Sequence, residues 1–229
     1  MSPRQCAILA GGAGTRLGDR TRDTPKPMLP VAGRPFLEHL IAKAAGHGFE
    51  DILLLAGHHA SVIDAWLTED RIAARHGVEI ALSVEPVPLG TGGALAHARG
   101  RLDEAFLLVN GDTWFDFDWR VLADAADLPA MLALREVAPA DRYETVELED
   151  ARIARFRPRA PDLASGLING GVYRIERSAI PSVDGSMSLE TELLPTLCAG
   201  GRLGGRVFGG AFIDIGVPES YARAQTLLA

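Results

Sequence analysis

Between Leu9 and Pro27 the chain reads LAGGAGTRLGDRTRDTPKP, with Gly11, Gly12, Gly14 and Gly18 interspersed among Arg16, Arg20, Arg22 and Lys26. Glycine lets main-chain N–H groups close on a ligand that a Cβ would hold away, and arginine's planar fork meets phosphate oxygens two at a time. Such a stretch suits a polyphosphate. Two familiar glycine loops do not fit it. A P-loop needs GxxxxGK[ST], and no lysine follows these glycines at that spacing. A dinucleotide fingerprint needs GxGxxG opening into a helix, whereas Gly12, Gly14 and Gly18 stand as GxGxxxG and Pro25 and Pro27 interrupt the segment that follows.

Carboxylates recur at points where chemistry is easily placed. Asp112 lies in Asn110-Gly111-Asp112-Thr113, directly after the apolar run Phe106 to Val109. Beyond the carboxyl end of a strand in an open α/β sheet, it is well placed to hold Mg²⁺. Asp214 stands between Ile213 and Ile215, where burying a charge is costly unless something positive faces it. A magnesium ion shared with Asp112 is the simplest such partner. Glu85 opens the loop Glu85-Pro86-Val87-Pro88-Leu89-Gly90-Thr91-Gly92-Gly93, in which the prolines hold the backbone extended and the glycines admit a flat ligand. Glu190 and Glu192 stand at the start of a helix, a place that also favours acids for the helix dipole alone. Asp116 and Asp118 are expected to begin the helix around Trp119 to Ala126. His58 and His59, with no carboxylates beside them, read as a solvated loop.

The elements that must position these groups alternate in type. Cys6 to Leu9, Ile52 to Ala56, Val78 to Val84 and Phe106 to Val109 are short apolar runs of strand length. Between them, Phe36, Leu37, Leu40, Ile41 and Ala44 mark one helix, ending at Gly46 or Gly48 after a Gly33-Arg34-Pro35 turn. A second, capped by Ser61, carries Ile63, Trp66, Leu67, Ile72 and Ala73, and another begins at Ala94. Ala130 to Leu134 is a further strand, and Tyr143 to Leu148 with Arg152 to Phe156 form a hairpin around Glu149-Asp150. The sheet is therefore expected to be mixed, with the second half folding over the first and carrying a different ligand. A strand at Arg206 to Phe208 and a last helix from Pro218 complete the chain.

At 229 residues and a net charge of −7, the chain is expected to be one domain without a nucleic-acid footprint, divided into halves at about residues 1–125 and 126–229. No apolar run approaches the ~20 residues of a membrane span, and the first strand begins too near Met1 for a cleavable signal, so a cytoplasmic protein is expected. Cys6 and Cys198 stand alone and read as reduced core residues. The sequence leaves the oligomeric state open, a homodimer being one alternative.

The stretch from Leu9 to Leu17, with Pro25-Lys26-Pro27, resembles the LAGGxGTRL…PKP signature of the sugar-phosphate nucleotidyltransferases. That resemblance implies an α/β fold, with a Rossmann-like mixed and mainly parallel sheet flanked by helices. It also implies that Leu9, Ala10, Gly11, Gly12, Gly14 and Thr15 hold a nucleoside triphosphate, Arg16 the departing pyrophosphate and Lys26 the transferred phosphate. Glu85 stands five positions before the Gly of LGT, as in the family's base-reading loop, with Gly90, Thr91 and Gly92 lining the same pocket. Ile168-Asn169-Gly170-Gly171-Val172-Tyr173 resembles the sugar-side NGGxY strand, which would make Asn169 and Gly170 sugar ligands, and Glu190, at the start of the helix opened by Leu189 to Pro195, would take two hydroxyls of the sugar. Phe212 to Tyr221 resembles the closing [FW]xDIGTPxxY motif, with Val217 in place of Thr. Where relatives show FxEK, this chain has Phe156-Arg157-Pro158-Arg159: the Glu is lost and Arg159 becomes the candidate phosphate cation.

The short chain with LGTGGAL, NGD, INGGVY and IDIGVPESY is most similar to the family's D-glycero-α-D-manno-heptose 1-phosphate guanylyltransferase branch. The alternatives are an N-acetylmuramic acid 1-phosphate uridylyltransferase, whose chains are similarly short, another hexose 1-phosphate nucleotidyltransferase, or, from a different class, a non-catalytic nucleotide-sugar-binding protein. Guanine presents two adjacent donors that one carboxylate can accept, so Glu85 leans the expectation toward GTP. The implied reaction joins GMP to a sugar 1-phosphate with release of pyrophosphate and uses Mg²⁺.

Overall fold

The computed structural model describes residues 2–12, 14–183 and 185–229, with the backbone alone for Thr15 and Arg16. Strand β1 (Gln5–Leu9) leads into the glycine loop and two 3-10 segments, Thr15–Thr21 and Lys26–Met28. A small hairpin follows, β2 (Pro30–Val31) and β3 (Arg34–Pro35), turned at Ala32 and Gly33, both at positive φ. The next elements are α1 (Phe36–Gly46), β4 (Asp51–Ala56), α2 (Ala60–Glu69), α3 (Ile72–His76) and β5 (Glu79–Val84). After these come α4 (Gly90–His97), β6 (Ala105–Asn110), β7 (Thr113–Phe115), α5 (Trp119–Ala123), β8 (Ala130–Val137) and the hairpin β9 (Thr145–Glu149) with β10 (Arg152–Arg157). The chain ends with β11 (Gly166–Glu176), a π turn at Leu189–Leu193, α6 (Leu194–Ala199), β12 (Leu203–Val207), β13 (Phe212–Asp214) and α7 (Pro218–Leu227).

One nine-stranded sheet runs in the order β5-β4-β1-β6-β11-β8-β12-β10-β9. The first four strands are mutually parallel, and their continuous apolar sequences reflect burial on both faces. Alternate residues feed opposite layers. Ile8, Leu54 and Val109 join Phe36, Leu40, Ile63, Trp119 and Tyr221 on the side of α1, α2, α5 and α7. Ala7, Leu53 and Leu108 join Leu95, Leu194 and Leu197 on the side of α4 and α6. Each large apolar side chain so buried contributes roughly 1.5–3 kcal/mol.

Register delivers the loops to one edge. Leu9 is level with Leu55 on β4 and with Asn110 on β6, and Ala56 is level with Val84 on β5. The glycine loop, Gly57-His58, Glu85 and Gly111-Asp112 thus all emerge at the carboxyl ends of adjacent strands, around β1.

Several expectations are revised. The second half does not fold over the first; it extends the same sheet, because β11 is apolar enough to pair antiparallel with β6 on one side and β8 on the other. Ser61 lies inside α2, which begins after His59 at φ 57°. The helix predicted through Ile72 breaks at Arg71, φ 51°, into α2 and α3. The strand expected from Arg206 starts at Leu203, where Leu203 and Gly204 pair with Ala130 and Met131. Asp118 caps α5 as expected, its Oδ1 accepting from Arg120 N–H at 2.9 Å, but the helix stops at Ala123. Cys6 is fully buried, which pushes its thiol pKa up, and Cys198 is half-buried. No helix among the described residues is long and apolar enough to cross a membrane.

Candidate active site

A cleft of about 390 Å³ opens at these strand ends, lined by Leu9, Gly11 and Gly12, Lys26, Glu85, Gly90 and Thr91, Asn110 to Asp112, and Glu190. Lys26 reaches it from the 3-10 turn framed by Pro25 and Pro27, which sets the direction of its side chain. The Lys26 side chain is only 8% exposed, and its Nζ lies 2.5 Å from Asp112 Oδ2. The other oxygen, Oδ1, accepts from Thr113 Oγ1 at 3.1 Å. A buried ammonium without such a partner would be costly, so the pair holds both charges ready in the cleft.

Asp214 arrives from the far end of the sequence. Strand β13 pairs antiparallel with β7, setting Asp214 opposite Thr113, and Ile215 N–H donates to Asp112 O at 2.9 Å. The two aspartates are therefore neighbours on paired backbone. Asp214 Oδ1 accepts from Gly216 N–H at 2.6 Å. A methyl group on Gly216 would collide with that oxygen and lie 3.4 Å from Lys26 Nζ, so carboxylate and ammonium face the same bare stretch of main chain. Unlike Asp112, Asp214 does not line the cleft; it lines a second cavity of about 550 Å³, together with Arg135, Arg142 and Arg223. Among the described residues no three His, Cys, Asp or Glu side chains converge as a metal cage. Two carboxylates on neighbouring backbone, completed by substrate phosphate oxygens, would be a donor set of the kind that fits Mg²⁺, which favours hard oxygens and seldom has a cage made wholly of protein.

Glu85 stands at the opposite end of the cleft. Its Oε2 accepts from Leu89 N–H at 3.1 Å, and its side chain lies against Gly57, where any Cβ would overlap it. Burial raises its pKa, partly offset by the Leu89 N–H and the neighbouring His97. No local pattern marks Gly57; only its juxtaposition with Glu85 reveals it. His58 lines the cleft beside it.

From the second half of the chain, Glu190 accepts from Thr91 Oγ1 at 2.7 Å. Asn169, expected to meet a ligand, instead donates to Tyr173 Oη at 2.9 Å and accepts from Gly171 N–H at 3.0 Å, which shapes the irregular step in β11. Gly170 is buried against Phe115, where a Cβ would overlap the ring edge. Neither lines the cleft. Burial and the nearby Glu190 charge raise the Tyr173 hydroxyl's pKa, so it remains protonated beneath the site. Arg159 is exposed beyond β10, outside the cleft lining, because β10 lies toward the far edge of the sheet. Asn110 was missed as a site residue; it lines the cleft, and its Oδ1 is buried without a hydrogen-bond partner.

In the glycine-rich regions, Gly11 and Gly12 line the cleft, whereas Ala10 is fully buried, its N–H bonded to Leu55 O at 2.7 Å. Gly14 begins the first 3-10 segment, against Thr21 and Lys26. The side chains of Thr15 and Arg16 lie outside the described residues. Helix α4 starts at Gly90 rather than Ala94, so Gly92 sits within its first turn and faces away from the cleft. The segment around Met187 packs directly on that turn: Cβ atoms on Gly90, Gly92 or Gly93 would come within 2.9 Å of it, and Met187 O accepts from Gly92 and Gly93 N–H at 2.9 and 3.0 Å. Gly92 and Gly93 serve this packing, and Gly90 both packs here and lines the cleft.

The sequence profile of the Nucleotidyl transferase family matches residues 6–229, and the chain belongs to that family. It is 33% identical to the D-glycero-alpha-D-manno-heptose 1-phosphate guanylyltransferase of Aneurinibacillus thermoaerophilus, over 96% of each chain. It is 32% identical to the protein of the same name from Campylobacter jejuni subsp. jejuni, over 95% of this chain and 96% of that one. Among solved structures, HddC from Yersinia pseudotuberculosis complexed with GMP-PN superposes with a TM-score of 0.87 at 29% identity, covering 100% of both chains. The mixed α/β fold with flanking helices is that of this family.

Proposed function

We propose that the chain transfers GMP from GTP to D-glycero-α-D-manno-heptose 1-phosphate, releasing pyrophosphate. The reading rests on the Lys26–Asp112 pair, set in a cleft that Glu85 and Glu190 also line, in a chain whose full-length relatives bear that name. A phosphate oxygen of the sugar 1-phosphate attacks the α-phosphorus, a new P–O bond forms, and the bond to the β-phosphate breaks. The nucleophile is already anionic, so no general base is needed; the barrier lies in bringing polyanions together and offsetting charge on the α-phosphate. Lys26 would stabilise the transferred phosphoryl group, and the main chain at Gly11 and Gly12 the triphosphate. Asp112 and Asp214 would hold Mg²⁺, which supplies Lewis-acid charge at the α-phosphate. Glu85 accepts guanine's paired N–H groups, and Glu190 accepts sugar hydroxyls.

In this reading the chain is one catalytic domain working in the cytoplasm, with its nucleotide half at about residues 1–125 and its sugar half at about 126–229. Pyrophosphate release, measured with Mg²⁺ across a panel of nucleoside triphosphates and sugar 1-phosphates, tests it. Turnover should be fastest with GTP and the heptose 1-phosphate. Preference for UTP with N-acetylmuramic acid 1-phosphate would transfer the assignment to a uridylyltransferase, and no turnover with any pair would remove it.

A further inference from the structure

Thr91 belongs by sequence to the base-reading loop, yet its hydroxyl is turned toward the other half of the chain. Oγ1 donates to Glu190 Oε2 at 2.7 Å and accepts from Leu189 N–H at 2.8 Å. The approach is enforced by backbone on both sides. Met187 N–H donates to Leu89 O at 2.8 Å, Met187 O receives the Gly92 and Gly93 N–H groups, and the bare glycines of α4 leave no space for this segment to shift. Glu190 Oε2 is further approached by Ser188 Oγ at 3.4 Å, whereas among the described residues Oε1 accepts no hydrogen bond. Glu190 therefore has one oxygen tied to the protein and one left over, and it lines the cleft.

We propose that Thr91 is a positioning residue for sugar recognition: it fixes the Glu190 carboxylate through Oε2 so that Oε1 is kept for the hydroxyls of the sugar 1-phosphate. This inference rests on the proposed nucleotidyl transfer and assigns Thr91 to the acceptor side of that reaction. A threonine hydroxyl has one proton. Given to Glu190 while its lone pair takes the Leu189 N–H, it selects one carboxylate orientation. Without it, the carboxylate can turn and divide its oxygens between solvent and substrate. A hydrogen bond to a charged group is worth enough that its loss should appear as a roughly 10- to 100-fold effect on sugar binding.

The test compares wild type, Thr91→Ser, Thr91→Val, Glu190→Gln and the Thr91→Val/Glu190→Gln double variant by steady-state kinetics and by calorimetric titration of the sugar 1-phosphate. Thr91→Val should raise KM for the sugar 1-phosphate without raising that for GTP. Thr91→Ser, which keeps the hydroxyl, should restore it. The penalty of Thr91→Val should largely vanish once Glu190 is already Gln, because the two act as one unit. An unchanged sugar KM in Thr91→Val, equal increases for both substrates, or fully additive penalties would each overturn the inference while leaving the transferase reading intact. If wild type turns over no sugar 1-phosphate, the reading itself fails. A crystal structure of Thr91→Val then decides the remaining point: a displaced Glu190 carboxylate supports the positioning role, and an unmoved one removes it.

Discussion

Lys26 Nζ and Asp112 Oδ2 meet at 2.5 Å across 86 residues of sequence, at the carboxyl ends of adjoining strands. The nearly buried ammonium could not occupy this cleft comfortably without the carboxylate. The 3-10 turn that delivers Lys26 and the strand end that delivers Asp112 are thereby coupled in stability as well as in chemistry.

Lys26→Ala or Asp112→Asn should lower kcat by at least ~10²–10³, the loss seen when one preorganised electrostatic contact is removed from an active site. Asp112→Asn should also lower the melting temperature, because it leaves a nearly buried ammonium unpaired. Replacing both, as Lys26→Met with Asp112→Asn, should recover stability but not turnover. Pyrophosphate release and thermal melts on the same samples check this, and near-normal kcat in either single variant removes both residues from the mechanism.

Glu85 provides a pH signature. Its folded-state pKa is raised above the ordinary 4.5, first by burial, against the opposing Leu89 N–H and His97. As pH falls through that raised value, the carboxyl protonates and loses an acceptor, so KM for GTP should rise at a higher pH than an ordinary glutamate would allow. The stability consequence has the opposite sense. A raised acid contributes stability that is present below its unfolded value and lost as pH rises through the folded one. Glu85→Gln should therefore gain in melting temperature relative to wild type as pH rises across that window, while its preference shifts toward uridine or thymidine triphosphate. An unchanged nucleotide profile would show that another group reads the base.

Gly57→Ala should act on the nucleotide without touching it. A Cβ there would overlap the Glu85 carboxylate, forcing the side chain off its Leu89 N–H. KM for GTP should rise while KM for the sugar 1-phosphate stays as it was. Equal effects on both would place Gly57 in general packing instead.

Chelation with EDTA should abolish turnover, and Mg²⁺ should restore it. If Asp214 shares the proposed Mg²⁺ with Asp112, Asp214→Asn should raise the Mg²⁺ concentration needed for half-maximal rate, because it would remove one of two hard oxygen donors. Calorimetry of GTP binding with and without Mg²⁺ gives a readout independent of turnover. A metal response identical to wild type would leave Asp112 as the only carboxylate involved.

Much of the sheet was legible because its central strands are apolar on both faces. Ile52 to Ala56 and Phe106 to Val109 carry a signal that no polar alternation dilutes. Local capping chemistry was legible where a side chain performs it, as Asp118 does for α5. It was not legible at α2, where His59 turns the chain with its backbone and Ser61 has no capping task. The path of the second half was hidden for a related reason: whether β11 extends a sheet or covers it depends on pairing with β6, more than fifty residues earlier in the chain.

For the site, the strand-end rule and the recurrent motifs led to Lys26, Asp112, Glu85 and Glu190, all of which line one cleft. The glycines were harder. Gly90, Gly92 and Gly93 looked like a pocket for a flat ring, yet Gly92 and Gly93 make room for Met187 and its neighbours, a contact between residues nearly a hundred positions apart. Gly57 left no trace in sequence, since it matters for the side chain it admits, and Asn110 stood in the NGD motif without a role of its own, its unpaired oxygen being visible only once the cleft is formed.

Strand β11 is laddered to β6 along one edge and to β8 along the other. The two regions proposed to grip the substrates are thus joined through one continuous sheet, and widening the cleft between them would mean parting main-chain hydrogen bonds. Admission of substrates and escape of products must then fall to the connectors on the rim, so the pace of the catalytic cycle should follow loop motion rather than a jaw-like closing of lobes.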